Sequence, residues 1–186
     1  MEKIITQAPL RVAFSGGGTD IEPYITEYGG CVLASAIKVY AQAIYPSAPV
    51  ITADMEQTIM DYFELKDAVK ITNGAPQMSG LGGSASCFVA GIKAVAPHLS
   101  KEEVALTAFH LERNILKIAG GKQDQYCASY GGVLLMEFKN GKTQIERITP
   151  PPMFNQLLLL VYTGKRKEMG QDIIKDQMNR DNLLGF

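Results

Sequence analysis

The pattern of hydrophobic and polar positions divides this chain into strand-like and helix-like segments. β-Branched and apolar residues dominate the stretch that ends at Phe14 and the longer stretch 30–46, so both are predicted to be β-strands. Apolar side chains recur instead at helical spacing from Ala85 to Ala96, and Pro97 ends that predicted helix. Both kinds of element are therefore expected in one core.

A second helix is predicted directly after the first. Ser100 and Glu103 have the spacing of a capping box, in which each side chain bonds to the other residue's backbone N–H. The apolar stripe continues to Ile118, and Gly120 and Gly121 are expected to end the helix. The remaining pattern predicts a short helix at 21–28, strands at 50–54, 68–72, 132–138, 143–148 and 156–163, and a final helix beginning near 168.

The order of these elements favours an α+β fold. Several strands precede two helices in tandem, and more strands follow, whereas a doubly wound sheet requires strict alternation of strand and helix. No internal repeat or low-complexity linker divides the chain. The sequence therefore predicts a mixed fold rather than a parallel sheet.

Composition and charge narrow the range of functions. The 186 residues carry a net charge of -1 and no basic run, which argues against nucleic-acid binding and favours a small-molecule partner. Cys31, Cys87 and Cys127 form no disulfide or metal-site pattern and are interpreted as core residues. The longest apolar run, 157–162, is far shorter than the ~18 residues of a membrane span, and no signal peptide precedes it. A cytoplasmic protein without a membrane partner is expected.

The most informative stretch is the glycine loop at 76–86, with the sequence PQMSGLGGSAS. Its glycines let backbone N–H groups turn inward, and the helix that follows adds free N–H donors and the positive end of its dipole. Ser84 and Ser86 add hydroxyls that suit a phosphate or a magnesium ion. The same residues also fit a tight turn followed by a serine N-cap. Taken alone, the loop leaves both interpretations open.

Three further features bear on that choice. A second glycine loop, 15–20, directly follows the first strand and ends in Asp20. Glu112 borders the apolar stripe of the second helix, which fits either a surface acid or a ligand in a cleft. Asp124 follows a glycine turn and could equally cap it. Two glycine loops at the ends of predicted elements together favour a binding cleft.

Together these residues resemble the GHMP kinases, the superfamily of galactokinase, homoserine kinase and mevalonate kinase. The family's phosphate-binding motif, P-x-x-x-G-L-G-S-S-A, stands here as PQMSGLGGSA, in which Gly83 replaces the first serine. Stretches 8–30, 110–133 and 160–167 resemble the branch that phosphorylates D-glycero-D-manno-heptose phosphates and fucose. The resemblance implies an α+β N-terminal domain, a fold shared with a ribosomal protein domain, and ATP- and Mg²⁺-dependent phosphorylation of a sugar.

The resemblance also implies a role for each matching residue. Arg11 and Asp124 fall on catalytic positions, and Ser84 and Glu112 fall on the magnesium ligands. Asp124 would orient, or deprotonate, the acceptor hydroxyl. The nucleotide is expected to contact Pro76, Gly80, Leu81, Gly82, Gly83, Ser84, Ala85 and Ser86, and the sugar is expected to contact Gly17, Gly18, Thr19, Asp20 and Gln125.

The chain departs from the family in its length, because GHMP kinases carry a second α+β domain. Residues 1–165 are predicted to form the N-terminal domain, and 166–186 the beginning of a second domain that is otherwise missing. The preferred function is phosphorylation of the anomeric hydroxyl of a heptose phosphate. A non-catalytic nucleotide- or sugar-binding module, half of a split kinase, a homodimer, and fucose or galactose as substrates stay open as alternatives.

Overall fold

The computed structural model describes residues 2–48 and 53–165. Its five strands are β1 (Ile4–Ser15), β2 (Gly30–Ser47), β3 (Ala68–Thr72), β4 (Val133–Lys139) and β5 (Lys142–Ile148). Its helices are α1 (Tyr24–Tyr28), α2 (Asp54–Tyr62), α3 (Gly83–Val95), α4 (Lys101–His110) and α5 (Gln123–Tyr130). A π-helical turn, Leu111–Ile115, continues α4, and a 3₁₀ turn, Phe154–Gln156, follows the last strand.

The long strand β2 organises an antiparallel sheet. It pairs with β1 along most of its length, with β4 through residues 30–35, and with β3 through residues 42–47. β4 and β5 form a hairpin that turns at Asn140 and Gly141, both in the left-handed conformation that suits a tight hairpin. This mixed architecture, with its antiparallel sheet, confirms the predicted α+β class.

An irregularity in β1 lies next to the glycine loop. The pairing with β2 slips between Pro9 and Arg11. Proline has no N–H to donate to the ladder, so it is tolerated at an irregularity of this kind. The backbone N–H of Arg11 donates instead to the Leu81 carbonyl at 3.0 Å. A strand irregularity of this kind redirects the side chains around it. Here it joins the first strand directly to the glycine loop.

Two groups of buried side chains hold the helices on the sheet. Helix α3 packs on β1, β2 and β3, with Phe88 and Ile92 fully buried beside Leu10 of the first strand. Helix α5 contacts β1 and β2 and packs Tyr126 against Leu134 of β4 in a second cluster. The N-terminal ends of α3 and α5 are thereby brought together next to β1. Within the described part of the chain, no helix is both long and apolar enough to cross a membrane.

The helix after Ser100 ends earlier than predicted. It has the expected capping box, but it is α-helical only to His110 and then widens into the π-helical turn. Lys117 adopts a left-handed conformation with φ 58°, and the N–H of Ile118 bonds back to the Glu112 carbonyl at 3.0 Å. A left-handed residue is a common helix terminator. Lys117 therefore ends this helix, rather than the glycine pair that follows.

The strand predicted at 156–163 is wrong. Apart from the end of the 3₁₀ turn these residues have no regular structure, and the side chains of Leu157 and Leu159 are 73% and 87% exposed. A strand needs a neighbour for its backbone groups, and none of the described strands pairs with this segment. The strand predicted at 50–54 lies largely outside the described residues, and Asp54 begins α2. The helix predicted from 168 lies outside them altogether.

Helix α5 was missed because it carries no amphipathic period. Its sequence, QDQYCASY, mixes polar and small residues, and five consecutive side chains are buried: Gln125, Tyr126, Cys127, Ala128 and Ser129. A helix buried around most of its surface shows no apolar stripe. Cys127 and Cys87 are buried as core residues should be, whereas Cys31 is exposed and that part of the prediction is wrong.

Candidate active site

A cleft of about 1080 Å³ opens where β1, α3 and α5 meet. Both glycine loops line it, although residues 21–75 separate them in the sequence. Among the residues for which a site role was predicted, all except Thr19 and Ser86 line this cleft. Asn73, Phe109, Arg113 and Gln123 are among the lining residues for which no role was predicted.

The glycine loop leaves the start of α3 open toward the cleft. The N-cap is Gly82, in a left-handed conformation with φ 72°, and no side chain caps the helix. The N-cap serine considered for this loop is therefore wrong. The N–H groups of the first helical turn have no intrahelical acceptor, and the helix dipole adds positive potential there. A turn of this kind suits an anionic group such as a phosphate.

The two serines of the loop have different surroundings. Ser86 is buried, and its hydroxyl donates to the carbonyls of Pro9 and Gly82 at 2.9 and 3.1 Å. Its hydroxyl therefore ties the loop to β1, and the nucleotide contact of Ser86 stays a prediction. Ser84 lines the cleft and hydrogen-bonds to the Glu112 carboxyl group.

Arg11 joins the glycine loop to helix α5. Its Nε lies 2.6 Å from Asp124 Oδ1, and its Nη1 donates to the Gly80 carbonyl at 2.8 Å. Burial alone would lower the pKa of the guanidinium, but the Asp124 carboxylate, together with Cys127 and Asp20, raises that pKa above its ordinary value. The position of a Cβ atom on Gly82 would be 3.2 Å from Asp124 Oδ2. The carboxylate therefore lies directly against the start of α3.

Glu112 is a buried carboxyl group in the cleft wall, so the interpretation of Glu112 as a surface acid is wrong. It is 9% exposed, and Gln125 Nε2 donates to its Oε2 at 2.6 Å. Burial raises the pKa of Glu112 to about 7, and the nearby Asp124 carboxylate adds to the rise. Hydrogen bonds from Ser84 and Gln125 act in the opposite direction. This carboxyl group can therefore gain or lose a proton near neutral pH.

The oxygen atoms around Glu112 fit a magnesium ion. Mg²⁺ is usually held by one or two carboxylates together with phosphate oxygens and water. Ser84 and Glu112 supply a hydroxyl and a carboxylate, and Gln125 Oε1 is buried without a hydrogen-bond partner among the described residues. The described part of the chain contains no group of three or more His, Cys, Asp and Glu side chains that could enclose a metal. The donor set thus suits a metal that also takes ligands from a nucleotide.

The second glycine loop holds its polar side chains inward. Asp20 is 2% exposed and accepts from the backbone N–H and the side-chain Nε2 of Gln123 at 2.9 and 3.2 Å. The Thr19 hydroxyl bonds to the backbone of Gly16 and Cys31, which gives it a structural role, and its sugar contact stays a prediction. Gly17 and Gly18 line the cleft. The loop presents mainly backbone to a ligand.

Asn73 and Gln123 line the cleft without having been predicted. Asn73 accepts from the N–H of Ala75 at 3.1 Å and packs against Gly83 at the start of α3. The Asn-Gly pair after a strand indicated only a turn. Gln123 immediately precedes the predicted catalytic aspartate, and that adjacency was the one signal available for it.

Comparison with known proteins identifies the same portion of the chain. The family model for the GHMP kinases N terminal domain matches residues 49–132. A D-glycero-alpha-D-manno-heptose 7-phosphate kinase from Campylobacter jejuni is 33% identical over 181 positions, covering 78% of this chain and 53% of the relative.

Solved structures support this result. A D-glycero-D-manno-heptose 1-phosphate kinase from Bacteroides thetaiotaomicron has a TM-score of 0.65 and 28% identity, over 78% of this chain and 60% of that one. The Methanococcus jannaschii mevalonate kinase shares the fold, with a TM-score of 0.66 and 21% identity over 97% of this chain and 68% of that one. The chain spans about half the length of the curated relative that it matches. Because the family model and these relatives agree, we conclude that this chain contains a GHMP kinase N-terminal domain.

Proposed function

We propose that this chain binds ATP and Mg²⁺ and contributes the site at which a phosphoryl group is transferred to a sugar hydroxyl. One observation carries the proposal. Arg11 bonds to Asp124 and to the Gly80 carbonyl, at 2.6 and 2.8 Å, so an acid that could orient a hydroxyl lies beside a turn suited to phosphate. Phosphoryl transfer depends mainly on such positioning and on charge neutralisation.

The glycine loop is the proposed nucleotide site. The uncapped first turn of α3 offers N–H groups to phosphate oxygens, and Gly80 and Gly82 adopt positive φ values that other residues tolerate poorly. Pro76, Leu81, Gly83 and Ala85 line the same wall. Loss of one loop hydroxyl at Gly83, relative to the family motif, removes none of these backbone donors.

Ser84 and Glu112 are the proposed magnesium ligands, with the amide oxygen of Gln125 beside them. When bound, the ion would neutralise charge on the transferred phosphate. Gln125 holds the Glu112 carboxylate through its Nε2, so its first role is to orient a ligand. This differs from the direct sugar contact that the resemblance implied for Gln125.

Asp124 is the proposed catalytic acid–base group. Its carboxylate is 27% exposed on the cleft side and can accept a hydrogen bond from the acceptor hydroxyl, which orients that oxygen and takes its proton. Arg11 uses only part of its guanidinium on Asp124 and Gly80, which leaves N–H groups for a phosphate oxygen. Gly17 and Gly18 lie on the proposed sugar side of the cleft.

The proposed acceptor is a heptose phosphate. Relatives that are 33% and 28% identical are named as kinases of a D-glycero-D-manno-heptose 7-phosphate and 1-phosphate, respectively. We propose the anomeric hydroxyl of the 7-phosphate as the preferred group. Fucose and galactose are the alternative acceptors.

A binding function without turnover is the second candidate. The apolar side chains at 157–162 are exposed, as expected of a surface that another polypeptide covers. The chain would then be a nucleotide- and sugar-binding module, or one half of a split kinase.

An ATP-consumption assay separates these candidates. The chain would be tested with heptose 7-phosphate, fucose and galactose, with Asp124→Asn as the catalytic variant and exposed Asp61→Asn as the matched control. We expect fastest turnover with heptose 7-phosphate, and a loss of ~10²–10⁴-fold in Asp124→Asn at unchanged ATP affinity. Equal background turnover in the wild-type chain and Asp124→Asn, with ATP still bound, would support the binding module.

A further inference from the structure

Asp20 is placed to hold helix α5 rather than a ligand. Its carboxylate is almost completely buried and accepts from the backbone N–H and the side chain of Gln123, at 2.9 and 3.2 Å. Gln123 therefore engages both carboxylate oxygens, and only 2% of the residue is exposed to a substrate hydroxyl.

Helix α5 lacks a cap from its own sequence. Its N-cap residue is Lys122, and no side chain of that segment bonds to the first helical turn. The Asp20 carboxylate, 103 residues earlier in the chain, accepts from the first N–H of the helix instead. A carboxylate at this position satisfies an otherwise free donor and interacts favourably with the helix dipole.

The hydrogen bonds to Asp20 fix the orientation of the Gln123 side-chain amide. A carboxylate only accepts hydrogen bonds, so the amide nitrogen of Gln123 must face it. The Gln123 amide oxygen is then buried without a partner among the described residues, which is an unfavourable arrangement that the Asp20 contact maintains. Gly121 packs so closely on Asp20 that a Cβ atom there would collide with the carboxylate.

We propose that Asp20 is a positioning residue, which caps α5 from the second glycine loop and thereby sets the position of the Asp124 carboxylate in the cleft. This inference rests on the proposed function only for the role of Asp124. Asp124 directly follows Gln123, so a shift of the first turn moves the carboxylate that Arg11 holds. A misplacement of ~1 Å at a reacting group can cost on the order of 10²-fold in rate.

The first test does not depend on activity. Amide hydrogen exchange and the Arg11 Nε–H resonance would be followed by NMR in the full chain with Asp20→Ala and Asp20→Asn. We expect the Gln123 amide to be protected in the wild-type chain and the Ser84 amide, at the uncapped start of α3, to exchange rapidly. Asp20→Ala should remove the Gln123 protection and shift the Arg11 resonance. Equally fast exchange of the Gln123 and Ser84 amides in the wild-type chain would overturn the proposal.

The second test separates positioning from sugar binding by kinetics. Asp20→Asn keeps an acceptor for the Gln123 backbone N–H but removes the carboxylate charge from the first turn of α5, so we expect kcat to fall roughly 10-fold while KM for the sugar changes less than about twofold. Adding Gln123→Glu exchanges donor and acceptor at constant net charge and should recover most of kcat. A raised KM at unchanged kcat, or no recovery in the double variant, would contradict positioning.

The two tests fail separately. If the wild-type chain turns over no sugar, the proposed function fails, while hydrogen exchange and the Arg11 resonance still decide whether Asp20 caps α5. Should Asp20→Ala not fold, Asp20→Asn with and without Gln123→Glu provides the same comparison, because both retain an acceptor for the Gln123 backbone N–H.

Discussion

Helices α3 and α5 both begin at the cleft and neither is capped by a side chain of its own segment, but their first turns are used differently. The start of α3 follows a left-handed Gly82 and is left open toward the cleft. The start of α5 is closed by the buried carboxylate of Asp20. An open first turn is available to an external anion, whereas a closed one holds a side chain in place.

Helix α4 provides the third case, because it is capped locally by Ser100 and Glu103. Its cap contributes to stability, and neither residue of the cap lines the cleft. We therefore propose that the three helices use the same unpaired N–H groups in three ways: ligand binding at α3, positioning at α5 and stabilisation at α4. The following predictions test that proposal and the carboxyl group of Glu112. The expected effects on affinity decrease from the first prediction to the last, and so do the expected effects on stability.

Gly82→Val should close the open start of α3. A valine would be strained at φ 72°, and its Cβ would press on Asp124 Oδ2 at 3.2 Å. We expect ATP affinity to fall by roughly 100-fold, or about 2.7 kcal/mol, in isothermal titration. Gly141→Val is the matched control, because Gly141 has φ 71° in a hairpin turn with open space around it. Similar ATP affinity in the two variants would show that the start of α3 does not bind phosphate.

Glu112 should make stability depend on pH when Mg²⁺ is absent. Its pKa is raised from 4.5 to about 7, so its stabilising contribution is complete below 4.5 and is lost as pH rises through 7. We expect a loss on the order of 3 kcal/mol in the free energy of unfolding by urea across that window. Glu112→Gln should flatten this dependence, and exposed Glu146→Gln on β5 should not. A wild-type slope in Glu112→Gln would be the contrary result.

Gln125→Leu should weaken magnesium binding while leaving α5 folded. The change removes the donor that orients the Glu112 carboxylate, and loss of such an outer partner typically costs ~10–100-fold in metal affinity. Mg²⁺ titration of ATP binding would measure it, with exposed Gln144→Leu on β5 as the control. Unchanged Mg²⁺ dependence would place the metal away from Glu112.

Ser100→Ala should affect stability alone. Loss of the capping box is expected to cost about 1 kcal/mol in the free energy of unfolding. ATP affinity should stay at the wild-type value, because α4 begins away from the cleft lining. A change in ATP affinity would show that a cap at α4 also acts on the site.

Much of the fold could be predicted because its signals are local. The strands and α3 follow from short-range periodicity, and the capping box of α4 from residues three apart. Helix α5 and the early end of α4 could not be predicted. Helix α5 lacks an apolar period because it is buried on most sides. The π-helical turn that continues α4 is ended by Lys117, and lysine seldom adopts a left-handed conformation.

The class of fold, the glycine loop and the residue types around it can be inferred from the sequence alone. The surroundings of those residues are set only by folding. Folding buried Glu112, bonded Arg11 to Asp124 across 113 residues, and committed Asp20 to helix α5. The physical reason is that burial and long-range hydrogen bonds set charge, pKa and orientation, and such contacts leave no periodic trace in the chain.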